Sequence, residues 1–125
     1  MSVTLPLVVF SSMLLAQPGP ERVTSVQGKL ILHEEFASKV LDNKRTIRVW
    51  LPADYETNPK RKFPVLYMMD GQNCFDGMTR YIPNKEWRAD ETVTSLSGSG
   101  LLRSMIVVGV DNAQADRANH YLPIE

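Results

Sequence analysis

An unbroken apolar run that ends in a polar turn is the feature that most constrains this chain. Five apolar residues, Val65 to Met69, follow Phe63-Pro64, and Asp70-Gly71-Gln72-Asn73 comes directly after them. A run without polar alternation is typical of a strand that is covered on both faces. Asp and Gly favour turns. The run therefore predicts a buried strand whose carboxyl end carries a polar turn.

The preceding segments predict strands of a different kind. Residues 23–36 alternate loosely and indicate an edge or antiparallel strand. Residues 44–51 alternate polar and apolar side chains, with β-branched residues enriched, which is typical of a half-buried strand. Pro52 is expected to end that strand.

The following segments complete a parallel unit. Residues 86–96 predict a short helix, in which Trp87, Val93 and Leu96 would cover one face of the sheet. Residues 105–110 are a second apolar run and predict a second buried strand. Strand, helix and strand in this order indicate a βαβ unit, so the predicted fold class is α/β.

Composition excludes several classes of function. The 125 residues suit one domain, and 14 Lys+Arg balance 14 Asp+Glu, so charge gives no reason to expect a nucleic-acid partner. The single cysteine, Cys74, cannot form an internal disulfide, and no Cys/His spacing suits zinc. No Gly-rich loop that would bind phosphate is present. We therefore expect neither a metal nor a cofactor.

The first 20 residues are typical of a leader. Leu5 to Ala16 is mostly apolar, and Gln17-Pro18-Gly19-Pro20 follows it. This resembles the apolar region and cleavage zone of a secretory signal peptide, although no Lys or Arg precedes it. Its 12 residues are fewer than the ~20 that cross a bilayer. The sequence predicts a leader over residues 1–20, export to the periplasm or outside the cell, and a domain over residues 21–125; if the leader is not a signal peptide, the chain would be cytoplasmic.

Two polar turns form the candidate site. Asp70 to Asn73 follows the first apolar strand, and Asp111-Asn112 follows the second. Ligands of open α/β sheets bind beyond the carboxyl ends of the strands, so both turns should lie at one edge. Gly71 permits close approach of the backbone, and the amide of Gln72 or Asn73 could then face a developing oxyanion. Alternatively, Asp70 and Asn73 only bond their own turn.

Several motifs together carry a family resemblance. They are Arg48-Val49-Trp50-Leu51-Pro52-Ala53-Asp54-Tyr55, residues 63–73, Trp87 with Asp90-Glu91, residues 106–112, Arg117, and Tyr121-Leu122-Pro123. In this order they resemble the amino-terminal half of the putative esterase family of α/β-hydrolases, which includes enterochelin-esterase-like and esterase-D-like enzymes. The resemblance covers residues 44–123.

The resemblance implies a serine hydrolase that acts on a small-molecule ester. In such enzymes a Ser, Asp/Glu, His triad acts with an oxyanion hole, and the nucleophile lies on a G-x-S-x-G elbow. Asp70-Gly71-Gln72 matches the loop that supplies an oxyanion donor, which makes the Gln72 backbone amide the catalytic candidate. By the same resemblance, the segment that shapes the wall of the site is matched by Asp111, Asn112, Arg117 and Tyr121. The predicted substrate-binding residues are these four together with Asp70, Gly71 and Asn73 of the turn.

The chain departs from the family because it contains no G-x-S-x-G. Ser97-Gly98-Ser99-Gly100 lacks the first glycine and follows a predicted helix, so it is expected to be a connection. The expectation is an α/β-hydrolase sheet truncated before the nucleophile elbow and lacking the triad. The alternatives are a non-catalytic ligand-binding or interaction module, and one half of a split esterase.

Four further side chains have ordinary structural interpretations. Cys74 is expected to be a buried packing residue. His33 is expected at a surface or strand edge, and His120 in the loop after the second apolar strand, although it could touch substrate. Trp87 is expected in the core rather than in a sugar-stacking surface, because of its apolar spacing with Val93.

Overall fold

The computed structural model describes residues 23–82 and 85–122. Its elements are β1 (Lys29–Ala37), β2 (Lys44–Leu51), β3 (Val65–Met69), α1 (Ala89–Gly98), β4 (Ile106–Val110) and α2 (Arg117–Tyr121), with single 3₁₀ turns at Gly71–Asn73 and Gln114–Asp116. The predicted leader lies outside the described residues, and export stays a prediction. No helix within the described ranges has the length and apolar character of a membrane span.

The four strands form one mixed sheet in the order β1-β2-β4-β3. β1 pairs with β2, and β2 with β4, in antiparallel fashion, while β3 and β4 are parallel neighbours. Because α1 connects β3 to β4, the predicted βαβ unit and α/β class are confirmed. The helix begins three residues later than predicted and continues to Gly98.

One face of the sheet carries the core. Trp50 of β2 lies opposite Val107 of β4, and both are almost completely buried, with Phe75 and Val93 in the same cluster. The indole N–H of Trp50 donates to the carbonyl of Gln27 over 2.6 Å, so its burial leaves no polar atom unpaired. The prediction of a buried second strand is confirmed, since β4 is central and Val107 is fully inaccessible.

The prediction that the run from Val65 to Met69 is covered on both faces is wrong. β3 is an edge strand of the described sheet, and Tyr67 and Met69 are 71% and 52% exposed. Side chains alternate between faces, so Val65, Tyr67 and Met69 share the face opposite the Trp50 core. That apolar face is open in the described part of the chain. A run of apolar residues indicates that both faces of a strand are stable only when they are packed against other elements. It does not show which elements pack there.

The open edge predicts how the 125-residue chain behaves when expressed alone. Exposed apolar edge strands pair with other chains, and a lysine at the edge opposes such pairing. We expect Tyr67→Lys to convert an aggregating chain into a mainly monomeric one, measured by analytical ultracentrifugation. Val40→Lys is the matched control, because Val40 is 89% exposed and lies between β1 and β2. A monomeric unmodified chain with a sharp, reversible melt would contradict this expectation.

Candidate active site

The two polar turns meet at the carboxyl ends of β3 and β4, as predicted. The Asn112 side-chain amide donates to Asp70 Oδ1 over 2.6 Å, and the Asn112 backbone amide donates to Gln72 Oε1 over 3.1 Å. Arg117 donates through Nε and Nη2 to the two oxygens of Asp70, over 2.8 and 2.7 Å. The turns therefore form one hydrogen-bonded unit.

Asp70 is the centre of this unit. Its backbone adopts the left-handed conformation (φ 55°, ψ 45°), which is uncommon for residues other than glycine, and the residue is only 6% exposed. Hydrogen bonding to Arg117 lowers the pKa of Asp70, assisted by Asn112, although burial opposes this shift. The ionised and buried Asp70 carboxylate therefore holds the turn through its hydrogen bonds to Asn112 and Arg117.

A close contact between two glycines places the turn against β4. A Cβ on Gly71 would lie 2.6 Å from the carbonyl carbon of Gly109 and 2.8 Å from the amide nitrogen of Val110. A Cβ on Gly109 would lie 2.9 Å from the Cα of Gly71. Gly71 is therefore required by backbone contact, and this contact sets the depth of the turn.

The backbone amides after Gly71 differ in whether they have a hydrogen-bond acceptor within the protein. The Asn73 amide donates to the Asp70 carbonyl over 2.8 Å and the Cys74 amide donates to the Gly71 carbonyl over 3.1 Å. Within the described residues, the Gln72 amide has no hydrogen-bond acceptor. Of the two candidate amides, only that of Gln72 can serve an external oxyanion.

The alternative that Asp70 and Asn73 only bond their own turn is wrong. The Asp70 carboxylate bonds Asn112 and Arg117, more than 40 residues away. The Asn73 side-chain oxygen accepts from the Tyr81 amide over 2.9 Å. Both side chains link the turn to other segments.

A second ion pair lies beneath the site. Arg48 of β2 donates through Nε and Nη2 to the two carboxylate oxygens of Asp111, over 2.6 and 2.9 Å. Both side chains are largely buried. The sequence interpretation did not place Arg48 in the site, although it lies two residues from Trp50 and thus on the same, core-facing side of β2. A positively charged residue at a core-facing position of a strand needs a buried partner, and this is the sequence signal that could have identified Arg48.

These residues surround an open cleft of about 1010 Å³. It is lined by Arg48, Asp70, Gln72, Asn73, Thr79, Arg80, Tyr81, Ile82, Lys85, Trp87, Asp111, Asn112, Gln114, Ala115 and Arg117. Six of the eight predicted site residues line it; Gly71 is buried beneath it, and Tyr121 lies outside, stacked under the Arg117 guanidinium at 4.7 Å. Sequence reasoning missed five of the lining residues, because their segment lacks strong periodicity: Thr79, Arg80, Tyr81, Ile82 and Lys85.

The prediction that Trp87 belongs to the core is wrong. It is 49% exposed and lines the cleft, because α1 begins only at Ala89 and helical spacing with Val93 does not apply. Its backbone amide donates to the Asn73 carbonyl over 2.8 Å. Trp87 is therefore a cleft residue whose backbone is fixed to the turn after β3.

Two other predictions for reactive side chains are confirmed. Cys74 is fully buried, and burial raises the pKa of its thiol to about 12, so it is not a nucleophile. His33 lies exposed on β1. The prediction that His120 lies in a loop is wrong, because it lies in α2; its ring bonds Asp116 over 2.9 Å and does not line the cleft.

Asp90 is a buried carboxyl with a structural role. It is inaccessible and accepts the Gln27 amide over 2.6 Å, joining the start of α1 to the segment before β1. Burial raises the pKa of Asp90 to about 6. It does not line the cleft.

Among the residues that the structure describes, no group of three or more His, Cys, Asp or Glu side chains could hold a metal ion.

The mixed sheet, with its polar cleft at the carboxyl ends of β3 and β4, defines the class: it is part of an α/β-hydrolase-like fold. The family model described as "Putative esterase" matches residues 38–124, and the chain belongs to this family. The resemblance inferred from the sequence is thereby confirmed. No curated protein sequence matches the chain significantly.

Solved structures similar to the chain carry esterase and hydrolase descriptions. A ferulic acid esterase is 31% identical, with a TM-score of 0.49 over 68% of this chain and 31% of its own. An IroE-like serine hydrolase from Shewanella oneidensis is 24% identical, with a TM-score of 0.49 over 73% and 25%. The ferulic acid esterase AmCE1/Fae1A from Anaeromyces mucronatus is 24% identical, with a TM-score of 0.46 over 76% and 31%. The chain thus spans between a quarter and a third of these proteins.

Proposed function

We propose that this chain forms the oxyanion-binding part of a serine-type carboxylic ester hydrolase. Membership of the esterase family supports ester hydrolysis as the class of reaction. The observation that carries the assignment to this site is the Gln72 amide, which lacks an internal acceptor and borders the cleft. The substrate is a small-molecule ester bound in that cleft.

In the proposed reaction, a serine oxygen that these 125 residues do not supply on a G-x-S-x-G elbow attacks the ester carbonyl carbon. The carbonyl π electrons move to oxygen, and the serine proton passes to a histidine. The Gln72 amide donates to the resulting oxyanion. Collapse expels the alcohol, which takes the proton, and water then hydrolyses the acyl-serine.

The geometry supports Gln72 in this role because its turn is fixed from three sides. Arg117 and Asn112 hold the Asp70 carboxylate, and the contact between Gly71 and Gly109 sets the depth of the turn. A donor that is already oriented needs no reorganisation as the charge develops, which is the source of its catalytic effect. Asp70, Asn112 and Arg117 are accordingly positioning residues.

The test compares Gln72→Pro with Gln72→Ala in the product of the complete reading frame that encodes this chain. Proline removes the amide hydrogen and suits the φ of a 3₁₀ turn, whereas alanine keeps the amide. We expect Gln72→Pro to lower kcat for p-nitrophenyl acetate by about 10²-fold, with KM little changed, because one oxyanion donor is lost. Gln72→Ala should stay within a few-fold of the parent.

Other outcomes would contradict the proposal in identifiable ways. Equal rates for the two Gln72 variants would remove the amide from the mechanism. Saturable ligand binding without hydrolysis would indicate a binding module. Hydrolysis that appears only on co-expression with a separately encoded partner would indicate one half of a split esterase.

A further inference from the structure

We propose that the Asn73 side chain selects substrates through its NH₂ group, which donates a hydrogen bond to an oxygen atom that the ester carries outside its reacting group. This inference rests on the proposed function, since the oxygen belongs to the ester substrate. The binding step can be measured without any hydrolysis.

The first argument is the fixed orientation of the Asn73 side-chain amide. Its Oδ1 atom accepts the Tyr81 backbone amide over 2.9 Å. A backbone N–H can bond only to the oxygen of a side-chain amide, so this contact determines which terminal atom is the nitrogen. The Asn73 backbone is held as well, because its amide donates to the Asp70 carbonyl and its carbonyl accepts the Trp87 amide, each over 2.8 Å. The NH₂ group is therefore a donor with a fixed position.

The second argument is that this NH₂ group can be reached from the cleft. Asn73 and its partner Tyr81 both line the cleft. Within the described residues, the Asn73 Nδ2 atom has no hydrogen-bond acceptor, and it is not one of the buried polar atoms that lack a partner there. A donor that reaches solvent carries no desolvation penalty in the free protein and can bond the oxygen of a ligand.

The third argument is the set of hydrogen-bonding groups that the cleft leaves unpaired. The carboxylates of Asp70 and Asp111 are each bonded by an arginine, and the Gln72 Oε1 atom accepts the Asn112 amide. The Gln72 backbone N–H and the Asn73 NH₂ group, in contrast, have no acceptor among the described residues. The cleft is therefore complementary to a ligand with two acceptors: the developing oxyanion and one further oxygen. Because the arginines are already neutralised, the further oxygen needs no charge.

Paired esters test whether the protein recognises such an oxygen. 2-Methoxyethyl acetate and butyl acetate have alcohol chains of equal length that differ by one ether oxygen, and p-nitrophenyl methoxyacetate and p-nitrophenyl butyrate differ likewise in the acyl chain. We expect the product of the complete reading frame to prefer the ether in at least one pair about fivefold in kcat/KM, after division by the hydroxide-catalysed rates. This factor corresponds to about 1 kcal/mol, which is typical of one net hydrogen bond. No preference in either pair would overturn the proposal.

Two variants separate donation to the substrate from support of the neighbouring segment. Asn73→Asp keeps an oxygen for the Tyr81 amide but removes the donor, whereas Asn73→Leu removes both. We expect both variants to lose the ether preference. A preference that survives in Asn73→Asp would overturn the donor role. Because the preference is a ratio between two esters, a general effect of the new charge on kcat cancels.

Asn58→Asp is the matched control for charge. Asn58 is exposed and does not line the cleft, so the same substitution there changes the net charge by the same amount. We expect this variant to keep the ether preference of the parent. Loss of the preference in Asn58→Asp would mean that net charge, and not the Asn73 donor, sets it.

Binding is followed separately through the side-chain NH₂ signals. The chain carrying Tyr67→Lys, which has no G-x-S-x-G, is labelled with ¹⁵N and titrated with 2-methoxyethyl acetate and, separately, with methyl methoxyacetate. We expect the NH₂ signals of Asn73 to shift saturably with at least one ester. Those of Asn58 and Asn119, whose side-chain nitrogens are bonded elsewhere, should stay unchanged. Equal shifts at all three residues, or none at Asn73, would overturn the proposal.

The proposal and the proposed function fail separately. Saturable shifts at Asn73 in a protein that hydrolyses no ester would leave this donor standing and overturn the hydrolase. Hydrolysis that depends on the Gln72 amide, with no ether preference in either pair, would do the reverse.

Discussion

Replacing Gly71 with alanine is expected to destabilise the folded chain by about 3 kcal/mol, at the upper end of the range for overpacking. The new methyl carbon would lie 2.6 Å from the Gly109 carbonyl carbon and 2.8 Å from the Val110 nitrogen. Both are backbone atoms of the central strand, so no side-chain rotation can relieve the contact. Urea unfolding of the Tyr67→Lys chain and of the same chain carrying Gly71→Ala measures the effect.

Two alanine variants calibrate this result. Gly109→Ala should cost less, because its nearest atom, the Gly71 Cα, would lie 2.9 Å from the new methyl carbon, whereas the nearest atom for Gly71→Ala lies at 2.6 Å. Gly98→Ala is the matched control: its added methyl group meets nothing within 4 Å, and alanine is the better helix former by about 1 kcal/mol. If Gly71→Ala unfolds at the same urea concentration as its parent, the turn is not held by this glycine contact.

The meeting of the two turns could be predicted because it follows from topology. Asp70 and Asp111 each end an apolar strand, and the βαβ unit makes those strands parallel, so their carboxyl ends lie on one side of the sheet. The hydrogen-bond partners of these residues could not be predicted from the sequence. Arg117 lies 47 residues from Asp70, and no local sequence pattern relates the two residues.

The incorrect predictions have a common physical cause. The apolar run of β3 and the apolar spacing of Trp87 both indicate side chains that are stable when packed against other groups. Each was interpreted as a side-chain surface that is buried in the core of this chain. In the described structure Tyr67 lies on an open sheet face and Trp87 lies in the cleft. Local sequence shows which side chains avoid water, but long-range packing decides what they contact.

The glycine contact also explains why the turn has its composition. Asp70 adopts a left-handed backbone that Asp tolerates, and Gly71 then passes within contact of β4. The Gln72 amide, which follows this contact, has no acceptor among the described residues. The order Asp, Gly, Gln thus converts the end of a strand into a turn with the donor that the proposed function requires.

Arg48→Ala is expected to destabilise the fold by about 3 kcal/mol, which is typical of breaking a buried ion pair. Its guanidinium donates both bonds to the Asp111 carboxylate, and the two side chains are 10% and 18% exposed. Without Arg48, the Asp111 carboxylate stays largely buried beside the Gly71 turn and loses its bidentate partner, while Arg45 bonds only the Asp111 backbone carbonyl, over 3.4 Å. Urea unfolding of the Tyr67→Lys chain, with and without Arg48→Ala, measures this loss.

The double variant Arg48→Met/Asp111→Asn distinguishes an unpaired charge from lost packing. Removing both charges avoids the desolvation of a lone carboxylate, and methionine fills much of the space of the arginine stem. We expect the double variant to recover at least half of the stability lost in Arg48→Ala. Equal losses in the two variants would mean that the arginine stabilises this edge of the sheet through its stem, and that its charge serves only the cleft.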